Sequence, residues 1–101
     1  MKGIEIKKIF RETEKYASKK ICVAGWIRNM RASNVFGFIE LNDGTFFKNI
    51  QVVFEKEKLA NFDEIAHLNI GSSIYVTGEL VLTPEAKQPF EIKAEEIVVE
   101  G

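Results

Sequence analysis

Cysteine, histidine and proline are almost missing from this 101-residue chain, which has one Cys, one His and two Pro. A single thiol, Cys22, leaves no disulfide framework and no thiolate metal cluster. With one His, one Cys and no Gly-rich phosphate loop, little remains for nucleophilic, metal or nucleotide chemistry. No apolar run approaches the roughly 20 residues that a membrane span needs. The first twenty residues, MKGIEIKKIFRETEKYASKK, carry too many charges for a signal peptide. We therefore expect a cytoplasmic protein with no membrane association. His67, in AHLNIG, reads as a boundary residue near a helix end, and Cys22, among apolar neighbours, as a small core residue. Glu95 and Glu96 are adjacent on an expected strand, so they should face opposite sides and not act as an acid–base pair.

What is present is an ordinary globular composition, 46% hydrophobic and 29% charged, sized for one domain. The net charge of −1 hides an asymmetry. Residues 1–31 hold nine Lys and Arg against three Glu, whereas the rest of the chain is acidic. A basic first third on an acidic domain is either a local electrostatic footprint or a Lys-rich solubilising surface.

Periodicity gives the architecture. Ile6, Ile9, Phe10 and Thr13 fit one face of a short helix ending near Tyr16–Ser18. Strands are expected over 20–30, 35–41, 47–54, 72–82 and 90–99. Gly25 and Gly78 sit mid-strand and mark bends or close backbone approach. Residues 31–34 read as a polar turn, and Asn42-Asp43-Gly44 as a tight hairpin turn. Leu59, Phe62, Ile65, Ala66 and Leu68 suggest a helix over 55–69, stopped by Gly71. The order, a helix followed by β-β-β-α-β-β with glycine-kinked strands, fits a mainly β, five-stranded Greek-key barrel of the OB-fold, with an N-terminal helix and a helix between strands 3 and 4. An SH3-like barrel or a split sheet is the alternative. Residues 1–18 would form a helical extension and 19–101 the barrel.

Phe36 and Phe38 share one face of the second strand, opposite Val35, Ile39 and Leu41. If the latter face the core, the phenylalanines point outward, where a ring beside basic residues can stack on a base. If the core lies on the Phe side, they only pack it. Gln51, between Ile50 and Val52, offers an amide donor and acceptor for a base edge, or is a solvated outward position. Arg28 and Arg31 end the first strand and would contact phosphate or a base, or stay solvated. Glu91 faces outward beside Phe90. Near a polyanion it is unfavourable unless it accepts a specific donor, so it is a specificity element or an ordinary surface acid.

Three segments carry a resemblance: GWIR (25–28), FIELNDG (38–44) and IQVV (50–53). Together they are similar to the N-terminal anticodon-binding domain of class IIb aminoacyl-tRNA synthetases, which serve aspartate, asparagine and lysine. FKNIQVV (47–53), VTGELV (76–81) and KQPFEIKA (87–94) resemble the asparaginyl type within that group, and the likeness spans about residues 19–101. It implies an OB-fold that grips a tRNA anticodon loop. Carried over by position, Phe38 would stack on the central anticodon base, Gln51 would read it, and Glu91 would contact the anticodon. Arg31 would be a basic contact at the end of strand one, although the following loop varies between subfamilies. No role transfers to Phe36. The resemblance implies a domain without catalysis or cofactor of its own, excised from a homodimeric ligase whose separate catalytic domain uses ATP and Mg²⁺. The alternatives are an aspartyl- or lysyl-type domain, a free-standing single-strand-binding module, and a barrel used for protein contacts.

Overall fold

The computed structural model describes residues 3–86 and 88–100. Lys87, part of one resemblance segment, lies outside the described residues. The elements are α1 (Ile6–Arg11), α2 (Thr13–Tyr16), β1 (Lys20–Ala32), β2 (Phe36–Asn42), β3 (Ile50–Glu55), α3 (Phe62–Ala66), β4 (Ser73–Leu82) and β5 (Phe90–Val99). The strands close into a barrel in the order β1-β2-β3-β5-β4, with β1 pairing β4 to complete the ring. All ladders are antiparallel except β3 with β5, the parallel contact of a Greek-key return. No helix among the described residues is long and apolar enough to cross a membrane.

Alternation on each strand fills the interior. Val23 and Ile27 of β1, Ile39 and Leu41 of β2, Ile50, Val52 and Phe54 of β3, Ile74, Val76 and Leu80 of β4, and Ile92 of β5 are all 0% exposed. Ile6 and Ile9 of α1 join the same cluster, as do Leu59, Phe62 and Ile65 from the segment between β3 and β4.

Several expectations need correction. Val35 does not face the core: it is 62% exposed, in a turn where Ser33 holds Phe36 through paired hydrogen bonds. β1 runs on through Ala32, and the polar turn is correspondingly shorter than 31–34. The N-terminal helix breaks at Glu12, where φ −124° and ψ 44° are not helical. The helix expected over 55–69 contracts to Phe62–Ala66, with turns before it that still bury Leu59. Cys22 is half-buried rather than core; its Sγ lies 3.4 Å from Thr77 Oγ1, its neighbour across the β1–β4 ladder. Glu95 and Glu96 do not alternate cleanly, because the β4–β5 register slips between Thr77 and Gly78 and both acids emerge exposed.

Asn42-Asp43-Gly44 is not a two-residue hairpin. Gly44 does adopt the positive φ that an Asp-Gly pair supplies, at 82°. The loop, however, runs over 43–49, and β3 starts at Ile50 rather than Phe47. Buried Asn42 organises the loop. Its Nδ2 donates to Asn49 Oδ1 at 2.9 Å and Phe46 O at 3.3 Å, and its Oδ1 accepts from Gly44 N at 2.7 Å. Asp43 joins the loop to α1: its Oδ1 accepts from Thr45 N at 3.0 Å and Thr45 Oγ1 at 2.6 Å, and its Oδ2 accepts from Ile6 N at 2.9 Å in the first turn of the helix.

Gly37 makes room for a core ring: a Cβ there would run into the Phe54 side chain. Gly37→Ala should therefore destabilise the barrel by about 2 kcal/mol through overpacking. Thermal and urea unfolding would register this as a melting temperature lowered by roughly 10 °C. Unchanged stability would mean the Phe54 ring has space that the packing denies.

Candidate nucleic-acid interface

The barrel rule that buries Ile39 and Leu41 turns Phe38 and Glu40 outward. On this outer face cross-strand register aligns the candidates in rows. Phe38 stands opposite Arg31 of β1 and Val53 of β3. Glu40 stands opposite Asn29 and Gln51. The result is a groove of about 410 Å³ between the end of β1 and the β2–β3 face, lined by Arg31, Phe36, Phe38, Glu40 and Gln51 among others.

The Phe38 ring is 43% exposed, and Phe36 meets it edge-on with centroids 5.0 Å apart. Phe36 therefore packs against Phe38 and lines the groove itself, although the family resemblance carries no role over to it. The edge contact fixes the Phe38 ring while leaving surface for a planar ligand.

Gln51 is half-buried and held from two sides. Its Nε2 donates to Glu91 Oε1 at 3.0 Å, and its backbone N donates to Gln88 Oε1 at 3.1 Å. Gln88 Nε2 in turn donates to Asn49 O at 2.8 Å. The bond to Glu91 fixes which end of the Gln51 amide is oxygen. One N–H of that amide is occupied, which leaves the carbonyl oxygen and a second N–H for a ligand.

A second acid braces the same row. Glu40 accepts from Asn29 Nδ2 at 3.1 Å through Oε2 and from Asn49 Nδ2 at 3.4 Å through Oε1. Sequence reading passed over this amide–carboxylate set. Glu40 and Asn49 were findable, since each lies two residues from Phe38 or Gln51 and so shares a strand face or its extension. Gln88 was not, because its partner lies 37 residues away across a loop.

The structure thus brings Arg31, Phe38 and Gln51 to one groove and ties Glu91 to it through Gln51. Arg28 stands apart. It falls at the register shift between Ile27 and Asn29, is exposed, and does not line the groove.

The chain is 67% identical over 96 residues to the asparagine–tRNA ligase of Clostridium botulinum, covering 95% of this chain and 20% of that protein. It is 62% identical over 101 residues to the asparagine–tRNA ligase of Alkaliphilus oremlandii, covering 100% of this chain and 22% of that one. The chain therefore spans about a fifth of the length of these curated relatives. Its fold matches the crystal structure of asparaginyl-tRNA synthetase from Pyrococcus horikoshii complexed with asparaginyl-adenylate, with a TM-score of 0.83 at 21% identity over 98% of this chain and 22% of that one. The fold also matches an OBody bound to hen egg-white lysozyme, with a TM-score of 0.78 at 19% identity over 99% of this chain and 94% of that one. The profile of the family described as OB-fold nucleic acid binding domain matches residues 21–100, and the chain belongs to that family.

Proposed function

We propose that this chain is the anticodon-recognition domain of an asparaginyl-tRNA synthetase. The observation that carries the reading is the pairing of an exposed, braced Phe38 ring with a Gln51 amide oriented by Glu91 in one groove. Uracil, the central anticodon base of asparagine tRNA, presents an N3–H donor flanked by carbonyl acceptors. The free oxygen of Gln51 would accept from N3–H while its remaining N–H donates to a flanking carbonyl. Phe38 would hold the base face, and Arg31, directly opposite it, would meet the adjoining phosphate. Such a domain transfers no group. It positions tRNA for a catalytic region outside these residues, where ATP and Mg²⁺ would drive charging with asparagine in a cytoplasmic homodimer. Residues 1–18, as a helical extension, and the barrel of 19–101 would act as one unit in that task.

The two contact types separate experimentally. In binding to RNA hairpins whose loops carry GUU, GUC or GAU, wild type should prefer GUU. Phe38→Ala should weaken all three by about tenfold, since stacking is worth on the order of 1–3 kcal/mol whichever base is present. Gln51→Ala should mainly reduce the GUU-over-GAU ratio. Equal wild-type binding to all three hairpins would refute a decoding role in favour of an unselective single-strand module.

Glu91→Ala gives a sharper expectation because two effects oppose each other. Removing a carboxylate beside a polyanion should leave low-salt affinity unchanged or slightly raised. Freeing the Gln51 amide to rotate should lower the GUU-over-GAU ratio several-fold. The same hairpin titrations at two salt concentrations check both. A variant that loses affinity yet keeps full discrimination would show that Glu91 does not orient Gln51.

A further inference from the structure

Phe47 is the most exposed large hydrophobic residue among those described, at 82%, and nothing in the groove accounts for it. It is not on a loose tip. The Asn42 side chain grips its loop at Phe46 O and Asn49 Oδ1, so the backbone that carries the ring is bonded on both sides of it. Its ring packs on Phe46 with centroids 4.6 Å apart, and Phe46 packs on Phe10 of α1 at 4.8 Å. Lys48 Nζ lies 5.7 Å from the Phe47 ring centroid.

The same loop is bonded to the basic helix. Lys7 N donates to Thr45 Oγ1 at 3.1 Å, and Arg11 follows Lys7 by one turn of α1. The ion pairs among the described residues join Lys15 to Glu12, Lys20 to Glu95 and Lys58 to Glu55, so Lys7, Arg11 and Lys48 take part in none of them. An exposed ring with one cation beside it, on a loop bonded to a helix that carries two more, has the chemistry to bind single-stranded RNA. This surface begins two residues from Asn49, at the Gln51 end of the groove rather than its Phe38 end.

We infer that Phe47 and Lys48, with Lys7 and Arg11 of α1, form a second RNA-contacting surface that takes a nucleotide flanking the recognised triplet. The inference rests on the anticodon-binding reading above. Phe47 stacks on the flanking base without regard to its identity, and the cations meet backbone phosphates. The basic first third of the sequence thereby acquires a place in binding through α1.

The test uses this chain and hairpins carrying GUU, with an abasic nucleotide introduced on either side of the triplet. Phe47→Ala should lose about tenfold in affinity, equally for GUU, GUC and GAU. Phe47→Trp should retain affinity. One of the two abasic hairpins should cost wild type as much as Phe47→Ala does, and cost Phe47→Ala nothing further. Replacing both Lys7 and Arg11 by Gln should flatten the slope of log affinity against log salt by about 0.7 for each phosphate no longer neutralised. Wild-type affinity in Phe47→Ala, or losses that add to both abasic sites, would overturn the inference while a weakened Phe38→Ala kept the groove reading intact. Absence of hairpin binding by wild type would overturn both.

Discussion

Closure of the sheet through the β1–β4 ladder is the constraint from which the interface follows. Seven consecutive pairs, from Lys20–Glu79 to Trp26–Ser73, join the first strand to the fourth and leave the barrel with one inside and one outside. The inside admits only apolar side chains, because a polar group there would lose its water without a partner. Once Ile39, Leu41, Ile50 and Val52 occupy it, strand alternation fixes the other face. Phe38, Glu40 and Gln51 have nowhere to go but outward, in register with Arg31 and Asn29 across the ladder. A one-residue slip would exchange the two faces and bury Gln51 and Glu40, so core and interface are specified by the same pairing.

Strands place these side chains, but loops orient them. The β3–β5 ladder is short, with Val52–Ile92 and Val53–Lys93 as its pairs. Beyond it, the amide of Gln88 bonds both Asn49 O and Gln51 N, as the backbone of a neighbouring strand would. One side chain thereby extends the sheet to the residue that needs the firmest placement. Asn42 performs a comparable task one loop away. A buried asparagine is tolerable only with its amide satisfied, and the bonds that satisfy it determine the shape of 43–49. Asp43 then carries that shape to α1 by accepting from Ile6 N, so hydrogen bonds link the helix, the loop and the start of β3 at one end of the molecule.

The parts legible in the sequence were those written in local periodicity. Five strands and a helix between β3 and β4 follow from alternation and spacing, and the structure keeps them, whereas alternation alone left open which face of β2 turns outward. Where reading went astray, contacts distant in sequence prevailed over a local signal. Asp-Gly asked for a tight hairpin, yet Asn42 found better partners at Phe46 and Asn49, and the loop lengthened. Val35 fits the alternation of β2, but Ser33 bonds Phe36 first, and the strand starts one residue late. Cys22 looked buried because its sequence neighbours are. Its own position on the alternation faces Thr77 on the outer surface. The candidate site followed the same division: Phe38 and Gln51 could be found from their strands, whereas Gln88 could not.

Charge distribution then explains how a nearly neutral domain would discriminate among RNA ligands. Two carboxylates, Glu40 and Glu91, stand beside the proposed base site, and each repels any polyanion that approaches. That repulsion is modest in salt water and falls equally on right and wrong ligands. What they give in return is selective, because Glu91 fixes the Gln51 amide and Glu40 ties Asn29 to Asn49 around it. Specificity is a difference between affinities, so a cost shared by all ligands leaves it intact while a fixed donor–acceptor pattern enlarges it. Phosphate attraction carries no such information and can be supplied elsewhere. Among the described residues Arg31 is the one cation that lines the groove, opposite Phe38 rather than between the two carboxylates, and most of the remaining positive charge is concentrated in residues 1–31 of the sequence. Placing cations between Glu40 and Glu91 would strengthen binding to every RNA and, by competing for the carboxylates, release the amide proposed to tell one base from another.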